Sequence, residues 1–148
     1  MAYITKEQVV AKRAKLKEIN KKYGVKATFS GGNDSTLKLT VQSGSLDFVG
    51  WYIGHVKSLS IHSAPFYGAE QYREQTINAL VRDAHININH HCLRDLPEGK
   101  CRDYLNEVYS VMLDGHYDRS DSMTDYFECA WYIDMQVGKW NKGYEFVK

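Results

Sequence analysis

The run Phe127-Glu128-Cys129-Ala130-Trp131-Tyr132-Ile133-Asp134-Met135-Gln136-Val137 decides the fold. Every second residue is apolar (Phe127, Cys129, Trp131, Ile133, Met135, Val137), and Glu128, Ala130, Tyr132, Asp134 and Gln136 fall between them. Successive side chains of a strand point to opposite faces, so a period of two sustained this long predicts one β-strand with a buried face and a wet face.

Upstream of it, after Pro97 and Gly99, the period changes. Cys101, Tyr104, Leu105, Val108, Val111 and Met112 share one helical stripe, and Gly115 suits the end of that helix. The polar residues 116–125 then connect helix to strand. Before the helix, Ile86 and Ile88 alternate with His85, Asn87 and Asn89 in a short strand over 84–89. A helix-containing crossover between this strand and 127–137 predicts a parallel pair. Tyr72, Thr76, Leu80 and Val81 give helical spacing over 69–83.

At the start of the chain, Thr5 with Gln8 three residues on forms a capping-box pattern. Val9, Leu16, Ile19 and Tyr23 make the apolar stripe of the helix that follows, and Gly24 is placed to end it. Val25, Ala27 and Phe29, then Leu37, Leu39 and Val41, alternate with polar residues on either side of Gly31-Gly32-Asn33-Asp34, the signature of an antiparallel hairpin. Ser43 to Phe48 reads as a turn into Val49-Gly50-Trp51-Tyr52-Ile53, a short strand or a loop packed over the core. The expected architecture is a single α+β domain over 1–148. Its order is α-β-β-α-β-α-β, with one layer of about four strands and helices on one face.

Length and composition set further bounds. A chain of 148 residues with 43% hydrophobic and 25% charged residues supports its own core without a metal or disulfide staple. The formal net charge of +1 excludes a DNA-mimicking acidic protein and a strongly basic nucleic-acid coat. The charge is uneven, however. Lys6, Lys12, Arg13, Lys15, Lys17, Lys21, Lys22 and Lys26 face only Glu7 and Glu18 in the same stretch, so the remainder is net acidic. Three cysteines without metal-type spacing point to a reducing cytosol, and neither a signal region nor a membrane-length apolar stretch is present.

Three segments carry a family likeness: Tyr3-Ile4-Thr5 before a Lys-rich helix, the Gln42-Ser43-Gly44-Ser45-Leu46-Asp47-Phe48 turn, and Asp125-Tyr126-Phe127 through Tyr132-Ile133-Asp134-Met135-Gln136-Val137-Gly138-Lys139-Trp140-Asn141-Lys142. Together they resemble the large polyvalent protein associated domain of type twenty-nine, with the Val-Gly-Lys-Trp-Asn-Lys ending as the most specific part. The resemblance implies a small α+β module encoded by a bacteriophage or mobile element. It further implies a role in host takeover or counter-defence in the cytoplasm of a bacterial host. No catalytic residue comes with it.

Candidate chemistry is sparse. His85, His90 and His91 with Cys92, together with His55 and His62, are the histidine-rich candidates for a metal site. Adjacent His90 and His91 in an extended segment would point to opposite sides, and no ligand-pair spacing accompanies them. His116 with Asp118, Asp121 and Asp125 would suit a metal-dependent hydrolase, against the commoner role of such residues in capping a polar loop. We therefore expect no catalytic residues, no metal and no cofactor.

Two binding surfaces stand out instead. Lys12, Arg13, Lys15, Lys17, Lys21 and Lys22 on the first helix could contact phosphates or an acidic surface, or could simply be solvated. By alternation the wet face of the sheet carries Lys26, Thr28, Lys38, Thr40, His85, Asn87, Asn89, Tyr132, Asp134 and Gln136, and Trp140, outside the alternation, either extends it or caps the core. The first expectation is a non-enzymatic protein that binds a host protein or complex through His85, Asn87, Asn89, Tyr132, Asp134 and Trp140. Nucleic-acid or nucleotide binding by the basic helix is the alternative, and self-association is left open. If the alternating strand is the centre of the core, Trp131→Ala lowers the unfolding free energy by about 3–5 kcal/mol in urea denaturation. A loss below about 1 kcal/mol would place the ring outside the core.

Overall fold

Thr5 opens the first helix as its spacing predicts: its hydroxyl accepts the Gln8 N–H at 3.2 Å, and the Gln8 side chain accepts the Thr5 N–H at 2.9 Å. Helix α1 runs Lys6–Tyr23 and stops at Gly24, whose φ of 67° is the left-handed conformation that glycine adopts most cheaply. This computed structural model describes residues 4–31, 35–58, 69–115, 131–139 and 141–147.

Strands β1 (Val25–Ser30) and β2 (Thr36–Gly44) form the expected antiparallel hairpin, with an irregularity between Lys26 and Ala27. Helix α2 spans Phe48–Ser58 and α3 spans Ala69–Asp83. Strand β3 (Ile86–Ile88) leads into a short 3-10 helix, His90–Asp95, and then α4, Lys100–Leu113. Strands β4 (Tyr132–Val137) and β5 (Glu145–Phe146) close the sheet. Four strands lie in the order β1-β2-β4-β3, and β5 pairs with the end of β2. Five strands and four α-helices among the described residues make this an α+β protein.

Three expectations are corrected. Residues 49–53 are helical, within α2, because Asp47 caps it: its carboxylate accepts the Gly50 N–H at 2.9 Å and its carbonyl accepts the Trp51 N–H at 3.0 Å. The order accordingly gains a helix after the hairpin, and a fifth strand at the C-terminal end. Strands β3 and β4 pair antiparallel, while the parallel partner of β4 is β2, from Thr36 beside Tyr132 to Val41 beside Val137. Helix α3 covers 69–83 as its spacing predicts, with Leu80 buried, Ile77 partly buried, and Tyr72 and Val81 exposed. Of the long alternating strand, 127–130 lie outside the described residues.

The rest of that strand follows its period except at Gln136, which is buried. Trp131, Met135 and Val137 are buried and Ile133 is half-buried, whereas Tyr132 and Asp134 are exposed. They join Leu37, Leu39 and Val41 of β2, Val9 and Leu16 of α1, and Tyr104, Leu105, Val108 and Met112 of α4 in one core. Phe48, fully buried, receives edge-to-face contacts from Trp51, Tyr104 and Tyr144, with ring centroids 5.3–6.3 Å away, so α2, α4 and the C-terminal tail meet on one ring.

The basic face of α1 is the other correction. Lys12 is 5% exposed and points inward. Its ammonium donates to the carbonyls of Val111 at 2.7 Å and Asp114 at 2.6 Å, and lies 5.0 Å from the centre of the Trp131 ring. A cation that satisfies the last carbonyls of a helix is well placed against its dipole, so Lys12 is the C-terminal cap of α4, delivered by α1. Burial lowers its pKa from the usual lysine value, and the Asp114 carboxylate opposes that shift. Replacing Lys12 with Ala removes the ammonium from the part-buried Asp114 carbonyl and leaves the Val111 carbonyl with only the Asp114 N–H, and is expected to cost about 1–3 kcal/mol by chemical denaturation. Lys12→Met, which keeps the stem, should cost less than Lys12→Ala.

Candidate binding face

The register across the sheet aligns its polar residues in rows. Thr28 pairs with Thr40, Thr40 with Gln136, and Gln136 with Asn87, so four strands contribute one polar row to the face away from the core. The next row is Ser30, Lys38 and Asp134, in which the Lys38 ammonium and the Asp134 carboxylate stand 3.8 Å apart. Tyr132 lies beside Thr36 at one end and is 56% exposed.

The centre of the first row is not wet. Thr40 and Gln136 are both buried, and the Gln136 amide donates to the Thr40 hydroxyl at 3.0 Å while its oxygen lies 3.2 Å from His85 Nε2. A buried amide is tolerated when its donors and acceptors are met, and here it links β2, β4 and the start of β3. His85, expected as a contact residue, is therefore half-buried and engaged in that link. Asn87 is exposed. Asn89 is exposed too, but its carboxamide oxygen accepts the His91 N–H at 3.0 Å and caps the 3-10 helix. Trp140 lies outside the described residues. The face thus offers Tyr132, Asp134 and Asn87 outward and holds His85 and Asn89 in structural bonds.

The helix lysines are largely spoken for. Besides Lys12, Arg13 donates to the Phe29 carbonyl at 3.0 Å, Lys15 pairs with Asp114 at 2.7 Å and Lys22 with Glu107 at 3.0 Å. Arg13, together with Asn20 on the Ala27 carbonyl, covers the free edge of β1 and so blunts it against pairing with another strand. Lys17 and Lys21 are exposed, and neither has a hydrogen bond or ion pair among the described residues.

Sequence reasoning missed a feature at the other end of the face. Gly138 has a φ of +72°, and a Cβ there would collide with the Ala84 carbonyl; one on Gly143 would collide with the Asp83 carbonyl. Both glycines let the β4–β5 connection sit against the α3–β3 junction, where the Tyr144 N–H donates to Ala84 at 2.8 Å. Between them Lys139 and Lys142 exchange backbone hydrogen bonds at 2.8 and 3.2 Å. Residues opposed in this way project to one side. With Lys26, Thr40 and Gln42 they line a concave hollow of about 300 Å³. The symmetry of Gly138-Lys139 against Lys142-Gly143 was the available signal.

Among the described residues no group of three or more His, Cys, Asp or Glu side chains is placed to hold a metal ion. His90 and His91 do not point apart: they belong to the 3-10 helix, their ring centroids are 4.0 Å apart, and His90 Nδ1 lies 3.2 Å from the Tyr109 hydroxyl. His116, Asp118, Asp121 and Asp125 lie outside the described residues. Burial raises the Cys101 thiol to about 12, which leaves it protonated and unreactive at neutral pH. No helix among the described residues is long and apolar enough to cross a membrane. Comparison with protein-family models, curated proteins and solved structures gives no match.

The buried Gln136 link generates a measurable consequence. Gln136→Leu leaves the Thr40 hydroxyl and His85 without their shared partner inside the sheet, and the unfolding free energy should drop by about 1–3 kcal/mol. The same substitution at exposed Asn87 should change stability by less than about 0.5 kcal/mol.

Proposed function

We propose that this chain is a non-enzymatic accessory module of a bacteriophage or mobile element. On this reading it works in the cytoplasm of the bacterial host by binding a host protein or complex. The sheet acts as a single layer with its helices on the inner side, which leaves the outer face for the partner. Binding of this kind alters a host process by occlusion and requires no reacting group.

The observation that carries the reading is Tyr132, more than half exposed on a strand that is hydrogen-bonded on both sides, with Asp134 on its own strand and Asn87 on the neighbouring one. Tyrosine supplies large contact area at low entropic cost and is enriched where interface energy concentrates. The register and the buried Thr40–Gln136 bond fix the backbone that presents these side chains before any partner arrives, which lowers the cost of association. The resemblance described above supplies the biological setting.

Affinity capture from host lysate at about 100 mM salt, close to the regime where surface charge is screened, is the first test. The wild-type chain should retain a discrete partner. Tyr132→Ala should weaken that partner's binding at least about tenfold, the range of an interface hot spot, with an unchanged melting temperature. Equal capture by both proteins would contradict the reading.

A further inference from the structure

The hollow at Lys139 and Lys142 is one part of a larger surface. Lys26 on its wall also lines a second hollow, of about 540 Å³, together with Lys21. Gly24 and Ser45 of that second hollow in turn line a third, of about 580 Å³, bordered by Lys22 and Lys100. Linked through these shared residues, the three hollows make one continuous band from the C-terminal end of α1, across the Lys26 end of the hairpin, to the β4–β5 connection.

Six lysines line the band: Lys22, Lys100, Lys21, Lys26, Lys139 and Lys142, all exposed. Among the described residues no Asp or Glu lines it, and the exposed Glu145 of β5 lines none of the three hollows. Lys22 is paired with Glu107, but the other five have no ion pair among the described residues. In a chain of net charge +1, five unpaired cations on one surface form a pronounced local excess. The floor between them includes Gly24, Gly44, Ser43 and Ser45, small residues that leave room for a close approach.

We propose that this lysine band binds the sugar–phosphate backbone of a double-stranded nucleic acid, without reading its sequence. A duplex offers a dense, regular line of single negative charges, and ammonium groups on flexible stems match it without fixed geometry. Base readout would call for an Arg, Asn or Gln fork free to enter a groove; of the described lining residues, Asn20 is bonded to the Ala27 carbonyl and the Tyr104 hydroxyl, and Gln42 is half-buried within β2. Stacking of single-stranded bases needs an open ring. Among the described residues the aromatic lining the band is Tyr23, which is half-buried, edge-on to Tyr104 and hydrogen-bonded to Glu107. The band lies away from Tyr132, at the other end of β4, so it stands or falls independently of the docking face.

Fluorescence anisotropy with a mixed-sequence DNA duplex of about 20 base pairs, titrated from about 50 to 300 mM salt, tests this directly. Binding should be measurable at low salt and fall steeply, with a log–log slope of about −3 to −5 for four or five phosphate contacts. Lys139→Glu/Lys142→Glu should reduce affinity at low salt at least about tenfold and flatten the slope by about 2. Lys6→Glu/Lys57→Glu makes the same change of net charge at exposed positions that line none of the three hollows and should alter affinity less than about threefold. Melting temperatures of both variants establish that they fold. Equal losses in the two variants, or no binding at low salt, would overturn the proposal, the latter leaving an acidic protein as the band's partner. Tighter binding of a single strand of equal length would overturn the duplex assignment.

Discussion

Strand β2 is hydrogen-bonded along both edges, and most of the structure depends on that. On one side it carries β1 from Val25 to Ser30. On the other it carries β4 in parallel from Thr36 to Val41, then β5 at Ser43 and Gly44. Parallel strands are joined only by long connections, so the second half of the chain must return to the N-terminal hairpin before the sheet is complete. Once it does, Leu37, Leu39 and Val41 are sealed beneath the helices, and the same register arranges Thr28, Thr40, Gln136 and Asn87 in a row on the opposite side. The core and the outer face are therefore two consequences of one pairing.

The helices are tied to this frame by polar as well as apolar contacts. Lys12 reaches from α1 to the last carbonyls of α4, Trp131 Nε1 donates to the Met112 carbonyl at 3.1 Å, and the Tyr144 hydroxyl donates to Leu46 at 2.6 Å. Each of these buried groups spends its hydrogen-bonding capacity on a backbone carbonyl near the end of a helix or a turn. That satisfies atoms which the helices themselves leave open.

Where side-chain period and local capping act alone, the sequence was readable. Thr5 with Gln8, the hairpin alternation, the α4 stripe and the apolar set of β4 all depend on neighbours within a few residues, and the structure reproduces them. The failures have tertiary causes. Asp47 caps a helix in a segment whose aromatic, β-branched composition favours a strand, and Phe48 is then held by rings from α4 and the tail. Lys12 looks like one more solvated lysine until α4 presents its C-terminus. Gln136 reads as a wet residue until Thr40 and His85 close over it. The lysine pair at 139 and 142 shows its alignment only when Gly138 and Gly143 dock on the α3–β3 junction. Of the expected contact residues, Asn87, Tyr132 and Asp134 were legible as outward-facing. The helix lysines were legible as charges but not as intramolecular partners.

A photo-crosslinking amino acid placed at single positions, in cells of the proposed bacterial host, would test the claim that the chain acts through the outer face of its sheet. Substitution at Tyr132 or Asn87 should yield a covalent adduct of one discrete size on illumination, and substitution at Lys17 on the outer side of α1 should yield none. Adducts formed from Lys17 while both sheet positions stay silent would contradict the account.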